Sequence, residues 1–270
     1  MLYLISTPIG NLDDLSFRAL NTLKQVDYLL CEDTRHSQRL LKYYEVNQRL
    51  VSYHKFNEAS RWKSILKDLQ EGKDIGLISD AGTPGIQDPG NTLVSLCHQH
   101  NIQVSAIPGP CAIIHALTSS GLHNDAFCFL GFVSKKSSEM KKCFFQAYLS
   151  QIPCIFFDTP HKIQKTLAYL SASMPQATLV IGRELSKKFE QIQVGTCQEI
   201  FEYWKEKTFK GELVIILYNQ AEKETVETMN PKELVLKIEK DFSIEKKQAI
   251  KIAAEMCYLP KRVLYKSLYS

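Results

Sequence analysis

The chain has 270 residues, 44% hydrophobic and 23% charged, with a formal net charge of +4, which suits a globular protein with a sizeable core, as one large domain or two small ones. No run of about 18 apolar residues occurs, which excludes a membrane-spanning helix. The eight cysteines form no Cys-x-x-Cys pair, which argues against a zinc ribbon or a thioredoxin-like motif and fits free thiols in a reducing, cytoplasmic setting.

The first apolar run, Leu2–Ser6, reads as a strand leading straight into the loop Thr7–Asp14. No basic segment or small-residue cleavage site accompanies it, so no signal peptide is expected. Ser16 is placed to cap a helix over Phe17–Gln25. Val26–Cys31 reads as a strand ending at Glu32-Asp33-Thr34-Arg35, and a helix containing Leu40 and Leu41 follows. Arg49–Tyr53 is a strand reaching His54, and Asn57–Gln70 a helix with Trp62, Ile65, Leu66 and Leu69 at helical spacing.

The short run Ile75–Ile78 reads as a buried parallel strand. After it, residues 79–90 hold three glycines and two prolines. Proline fixes φ and glycine permits close backbone approach, so this loop is expected to be stiff and bare, with main-chain groups free to face a ligand. A helix over Thr92–His100, a strand over Ile102–Ile107, the loop Pro108–Ala112 and a helix over Ile113–Ser119 complete the first half. Alternating strands and helices predict a mostly parallel sheet covered on both faces.

Residues 120–125 look like a boundary, giving subdomains 1–121 and 122–220. The second half offers strands at Ala126–Phe132, Pro153–Phe157, Ala177–Ile181 and Glu212–Tyr218, with another at Phe189–Val194. Helices are expected over Glu139–Leu149, after Asp158–Lys162 as far as Ser171, and over Gln198–Trp204. Residues 219–230 form a polar linker. Beyond it lie three short helices, opened by Pro231, Ser243 and Pro260. Apolar Ile250, Ala253, Ala254 and Cys257 would line the second, and Val263, Leu264 and Leu268 the third. Residues 231–270 hold nine basic and five acidic side chains, so the whole excess of positive charge sits there, as a polyanion partner would require. For such an excess taken alone, a solvated helical face is the favoured explanation.

Strands of one direction present their carboxyl ends together, where open α/β sheets hold ligands. The loops at 7–14, 32–35, 79–90, 108–112, 158–161 and 183–188 are therefore expected to gather. A Walker-type phosphate loop, a Gly-x-Gly-x-x-Gly fingerprint and a Gly-x-Ser-x-Gly elbow are all missing from the sequence. Glu32, Asp33 and Arg35 on one turn read equally as an ion-pair cluster or as part of a site.

Ser6-Thr7-Pro8-Ile9-Gly10-Asn11-Leu12, Glu32-Asp33-Thr34-Arg35, the loop 79–90, Ile107-Pro108-Gly109-Pro110, and Arg183-Glu184-Leu185 through Lys210-Gly211-Glu212 resemble, in order and spacing, the tetrapyrrole methylase superfamily, and within it the branch that methylates small-subunit ribosomal RNA. The resemblance implies two α/β subdomains of that type with a cleft between them, a small C-terminal helical segment, and a homodimer. It implies S-adenosyl-L-methionine as cofactor, no metal, and 2′-O-methylation of a decoding-centre cytidine in 16S rRNA. By position, the cofactor would meet Ile9, Asp80, Gly82, Thr83, Ile86, Cys111, Ala112 and Phe157. Asp33, Glu184 and Lys188 are candidates for the base, and Arg35, Arg183 and Lys187 for contacts to RNA phosphates. The chain departs from the family at Val133-Ser134, at Lys162 where arginine is usual, and at Cys111 where serine is common. Two rival functions remain: a methyltransferase acting on a tetrapyrrole, and an RNA-binding module without catalysis. The basic C-terminal segment favours RNA over a porphyrin-like substrate, and the ligand-ready loops disfavour a pure binder.

Overall fold

The computed structural model describes residues 1–219, 230–242, 245–257 and 259–269. The chain divides into two compact units. One comprises Met1–Ala116 and Glu184–Glu190, the other Leu117–Arg183 and Gln191–Ser270. The change of unit falls within a helix, a few residues before the expected boundary at 121.

The first unit is built on a five-stranded, fully parallel sheet, with spatial order β3-β2-β4-β1-β5. The strands are β1 (Leu2–Ile5), β2 (Tyr28–Cys31), β3 (Leu50–Ser52), β4 (Ile75–Ile78) and β5 (Val104–Ile107). They alternate with α1 (Phe17–Gln25), α2 (Thr34–Tyr43), α3 (Glu58–Gln70), α4 (Asn91–Gln99) and α5 (Ala112–Ser119). Alternate side chains of a strand face opposite ways. In β2, Tyr28 and Leu30 enter one apolar cluster with Ile65, Leu69 and Leu93, while Leu29 and Cys31 enter another with Ala19, Leu23 and Leu41. Burial of both faces is why these strands read as unbroken apolar runs. The expected Ser16 cap is present, its hydroxyl accepting from the Ala19 amide at 3.1 Å.

The second unit holds a mixed five-stranded sheet, ordered β6-β7-β10-β8-β9. Its strands are β6 (Cys128–Phe132), β7 (Cys154–Asp158), β8 (Thr178–Arg183), β9 (Gln191–Thr196) and β10 (Leu213–Tyr218). β6 and β7 are parallel, and β10 is antiparallel to both β7 and β8, so β6, β7 and β8 share one direction and end at one edge. Helices α6 (Ser137–Ser150), α7 (Ile163–Ser173) and α8 (Cys197–Trp204) accompany it. α8 starts on a capping box that sequence reading missed, with Thr196 and Glu199 each bonding the other's main chain.

β9 begins two residues later than expected, because Glu184–Glu190 leaves the second unit to pack with the first. Positive φ at Glu184 (51°) and Ser186 (63°) turns the chain out of β8. The C-terminal helices are α9 (Pro231–Phe242), α10 (Lys246–Met256) and α11 (Lys261–Tyr269). Their Leu234, Val235, Ile238, Ile250, Ala253 and Leu264 share one core with Phe144, Phe156, Leu167 and Ile215 of the second unit, so they are built into it. Val263, expected inside, is exposed. The expected cap Ser243 and most of the linker lie outside the described residues. Among the described residues, no helix is long and apolar enough to cross a membrane.

Candidate functional site

Three loops of the first unit leave the carboxyl ends of neighbouring strands β4, β1 and β5, and hydrogen bonds join them into one web. Thr7 and Gly82 pair main chain to main chain at 2.9 and 3.0 Å. The Thr7 hydroxyl donates to the Ser79 carbonyl at 3.2 Å. The Thr83 hydroxyl lies 3.1 Å from that of Ser6 and donates to the Pro110 carbonyl at 3.2 Å. Close approach requires glycine at two places. A Cβ on Gly109 would stand 2.8 Å from Cβ of Ser6, and one on Gly82 (φ 81°) would stand 3.2 Å from Ile9. Within residues 79–90, Gly85, Gln87 and Gly90 also have positive φ. The web therefore brings Ile9, Gly82 and Thr83 together and sets Cys111 and Ala112 directly after Pro110. Ile86 is exposed on the same central loop.

Beside the web stands a group of carboxyls. The Asp80 carboxyl accepts from the Asp33 amide at 3.4 Å. Burial, together with the charges of Asp88 and Asp80, raises the Glu32 carboxyl from an ordinary 4.5 to about 7; Lys55 opposes the shift. Asp88 is raised as well, first by burial and then by Asp80. Sequence reading left Glu32 open between an ion-pair cluster and a site, did not make it a candidate base, and did not single out Asp88. Its signal was the acidic residue directly at the end of an apolar strand.

Asp33 is committed otherwise. It caps α2, accepts the Arg35 amide at 2.8 Å and pairs with the Arg35 guanidinium at 3.4 Å. These bonds hold its carboxyl below the usual range. A capping carboxylate so held is a weaker proton acceptor than Glu32.

The segment 184–190 lies with this same unit. Lys187 pairs with Glu184 at 2.9 Å, and its side chain runs where a Cβ of Gly10 would sit. Ser186 bonds Asp14, and His115 meets Glu190 at 3.2 Å. Glu184 and Lys187 thus serve each other, whereas Lys188 is exposed, its ammonium 5.7 Å from the Phe189 ring. Arg183 ends β8 in the second unit and donates to the Lys210 carbonyl at 3.4 Å. Phe157, also in the second unit, packs between Phe129 and Phe132, with ring centroids 5.0 and 5.3 Å away. Next to it, Asp158 is fully buried. It accepts from Thr166 and the Thr159 amide at 2.7 Å each and pairs with Lys162 at 3.3 Å. Lys162 also donates to the Val133 carbonyl, so two of the three departures from the family pattern meet in one contact. Among the described residues, no group of three or more His, Cys, Asp or Glu is arranged to hold a metal ion.

Residues 1–200 match the family described as Tetrapyrrole (Corrin/Porphyrin) Methylases. A Synechocystis protein named ribosomal RNA small subunit methyltransferase I is 39% identical over 268 residues, covering 98% of this chain and 96% of its own. A Halalkalibacterium halodurans protein of the same name is 37% identical over 271 residues, covering 98% and 93%. Among solved structures, a diphthine synthase aligns with a TM-score of 0.59 at 13% identity, covering 80% of this chain and 89% of its own. A uroporphyrin-III-C-methyltransferase from Thermus thermophilus aligns at 0.55 and 15%, covering 81% and 94%. At such identities these two structures share the fold.

Proposed function

Because the chain belongs to the tetrapyrrole (corrin/porphyrin) methylase family, in the group of relatives named ribosomal RNA small subunit methyltransferase I, we propose that it methylates small-subunit rRNA, taking the methyl from S-adenosylmethionine to the 2′-hydroxyl of a cytidine. Similarity at 39% identity across 98% of the chain carries this reading. The web of loops supports it. Three bare, glycine- and proline-rich turns held by Ser6, Thr7, Thr83 and Pro110 suit a flat nucleoside, and the neighbouring carboxyls of Asp80, Glu32 and Asp88 suit a cationic ligand.

S-adenosylmethionine supplies, when bound, an electrophilic methyl group on a cationic sulfonium. The residues of this chain have the simpler tasks of holding and orienting. Main-chain groups at Gly82, Thr83, Cys111 and Ala112, with Ile9 and Ile86 as apolar walls, would hold the cofactor. Ser6 and Thr83 fix two of the loops in register, which is the positioning that in-line transfer demands. Glu32, raised to about 7, is half in its proton-accepting form at neutral pH. One of its carboxylate oxygens would take the proton of the ribose hydroxyl, help worth about 10²–10⁴ in rate. Arg35 and Arg183 would meet RNA phosphates. Lys187, tied to Glu184, is better placed to anchor residues 184–190.

The reading extends to a cytoplasmic homodimer. Phe127, Leu130 and Phe132, exposed on or beside edge strand β6, offer apolar surface for a second copy, which light scattering would detect. The central test is titration calorimetry with S-adenosylmethionine, followed by transfer of labelled methyl groups to small ribosomal subunits and ribose-methylation mapping. A protein that binds no cofactor, or that methylates a porphyrin precursor and no subunit, refutes the reading.

A further inference from the structure

Helix α2 (Thr34–Tyr43) has one arc for the core and another for something else. Ser37 and Leu41 are buried, with Thr34 and Leu40 half-buried beside them. On the opposite arc, Arg35, Arg39, Lys42 and Tyr43 are exposed, at the i, i+4, i+7 and i+8 spacing that lines one face of a helix. The three cations span about 10 Å of helix axis. The helix contains no acidic residue, and the ion pair of Arg35 with its cap Asp33 is the one shown for this arc among the described residues. Glu32 and Asp80 stand at the start of the helix, Glu45 follows its end, and Asp13 and Asp14 lie by Tyr44 there.

The helix starts at the carboxyl edge of the sheet, and the loop after β3 reaches the same edge. There Phe56 is 97% exposed. Its loop is not loose. Asn57 accepts from the His54 amide at 2.8 Å and donates to the Ser52 carbonyl at 3.2 Å, and the His54 ring meets Phe56 edge-on at 6.0 Å. Lys55 is close enough to Glu32 and Asp88 to oppose their protonation, which sets this loop beside the carboxyl group of the site.

We propose that the arc Arg35–Arg39–Lys42–Tyr43, continued by Phe56, is a track for a single-stranded segment of RNA, its cations on successive phosphates and the Phe56 ring stacked on an unpaired base next to the reacting nucleotide. This inference rests on the reading of the protein as an rRNA methyltransferase. A line of cations tracks a nucleic-acid backbone, and an aromatic side chain stacks only on a base that is not paired. A paired helix would leave Phe56 without a partner.

Fluorescence anisotropy with full-length protein tests the track without needing catalysis. The probes are a labelled single-stranded RNA of mixed sequence and a labelled RNA duplex. The double variant Arg39→Gln, Lys42→Gln should bind the single strand about tenfold more weakly. Its log–log salt slope should shrink by about 1.4, the share of two phosphates. Phe56→Ala should weaken binding about tenfold with the slope unchanged, and Phe56→Trp should restore it. Lys24→Gln, a charge loss on exposed α1 surface, should change little. Affinity and slope unchanged in the α2 and Phe56 variants, a wild type that prefers the duplex, or a wild type that binds no RNA would each overturn the track. Calorimetry should show S-adenosylmethionine binding equal in all variants. If the wild type binds RNA through these residues and methylates no small subunit, the track stands and the methyltransferase reading falls.

Discussion

In the first unit the carboxyl edge of the sheet ends in Glu32, Asp80 and the loop carrying Asp88, and Lys55 is the cation shown to act on Glu32 and Asp88. In the second unit the corresponding edge holds Asp158, fully buried and met by Lys162, Thr166 and the Thr159 amide. Strands of one direction bring acids to an edge in both. One edge leaves them repelling, with Glu32 raised to about 7, and the other compensates them. Compensation stabilises a fold, whereas like charges held together set affinity for a cation or a proton. The first unit thus stores reactivity where the second stores stability.

The largest expected effect breaks the compensated edge. Lys162→Met would leave Asp158 charged and dry, and should destabilise the protein by about 3 kcal/mol in urea melts. A loss under about 1 kcal/mol would mean that Thr166 and the Thr159 amide suffice. The uncompensated edge is probed by Glu32→Gln, which should lower kcat about 10²-fold and abolish a rise in rate as pH climbs through about 7. The same residue has a signature in stability. From about 4.5 to about 7 the native protein binds a proton that the unfolded chain has released, so stability falls as pH rises across that window. The glutamine variant should flatten the fall, and an unchanged profile would remove Glu32 from the charge cluster. Gly109→Ala, pressing on Ser6, should cost about tenfold in cofactor affinity by calorimetry, since placement errors near 1 Å are felt strongly. Smallest is Thr196→Ala, the lost cap of α8, at about 1 kcal/mol in thermal melts with cofactor affinity untouched.

The first sheet was nearly all legible in the sequence. Its strands are apolar runs closed by glycine, proline or a charged turn, and Ile75–Ile78 was recovered to the residue. The second sheet was less legible, because antiparallel β9 is half-exposed along most of its length and gives a weak periodic signal. Of the site, the three loops were readable because glycine and proline declare themselves. The Thr7–Gly82 pairing and the raised affinity of Glu32 were not, since both arise between residues far apart in the chain, Glu32 with Asp80 and Asp88. The C-terminal helices carry the positive excess, yet Val235, Ile238 and Ile250 tie them into a core that their own pattern could not announce.

Residues 184–190 have a consequence for biosynthesis. On the ribosome, everything up to Ala116 emerges first, yet the pieces that cover Gly10, meet His115 and bond Asp14 are translated roughly seventy residues afterwards. The earliest-made part of the protein must therefore wait, partly open, until the first stretch of the second unit, Leu117–Arg183, has been made. Its maturation is paced by elongation, and a truncated nascent chain ending before that point would lack its final staple.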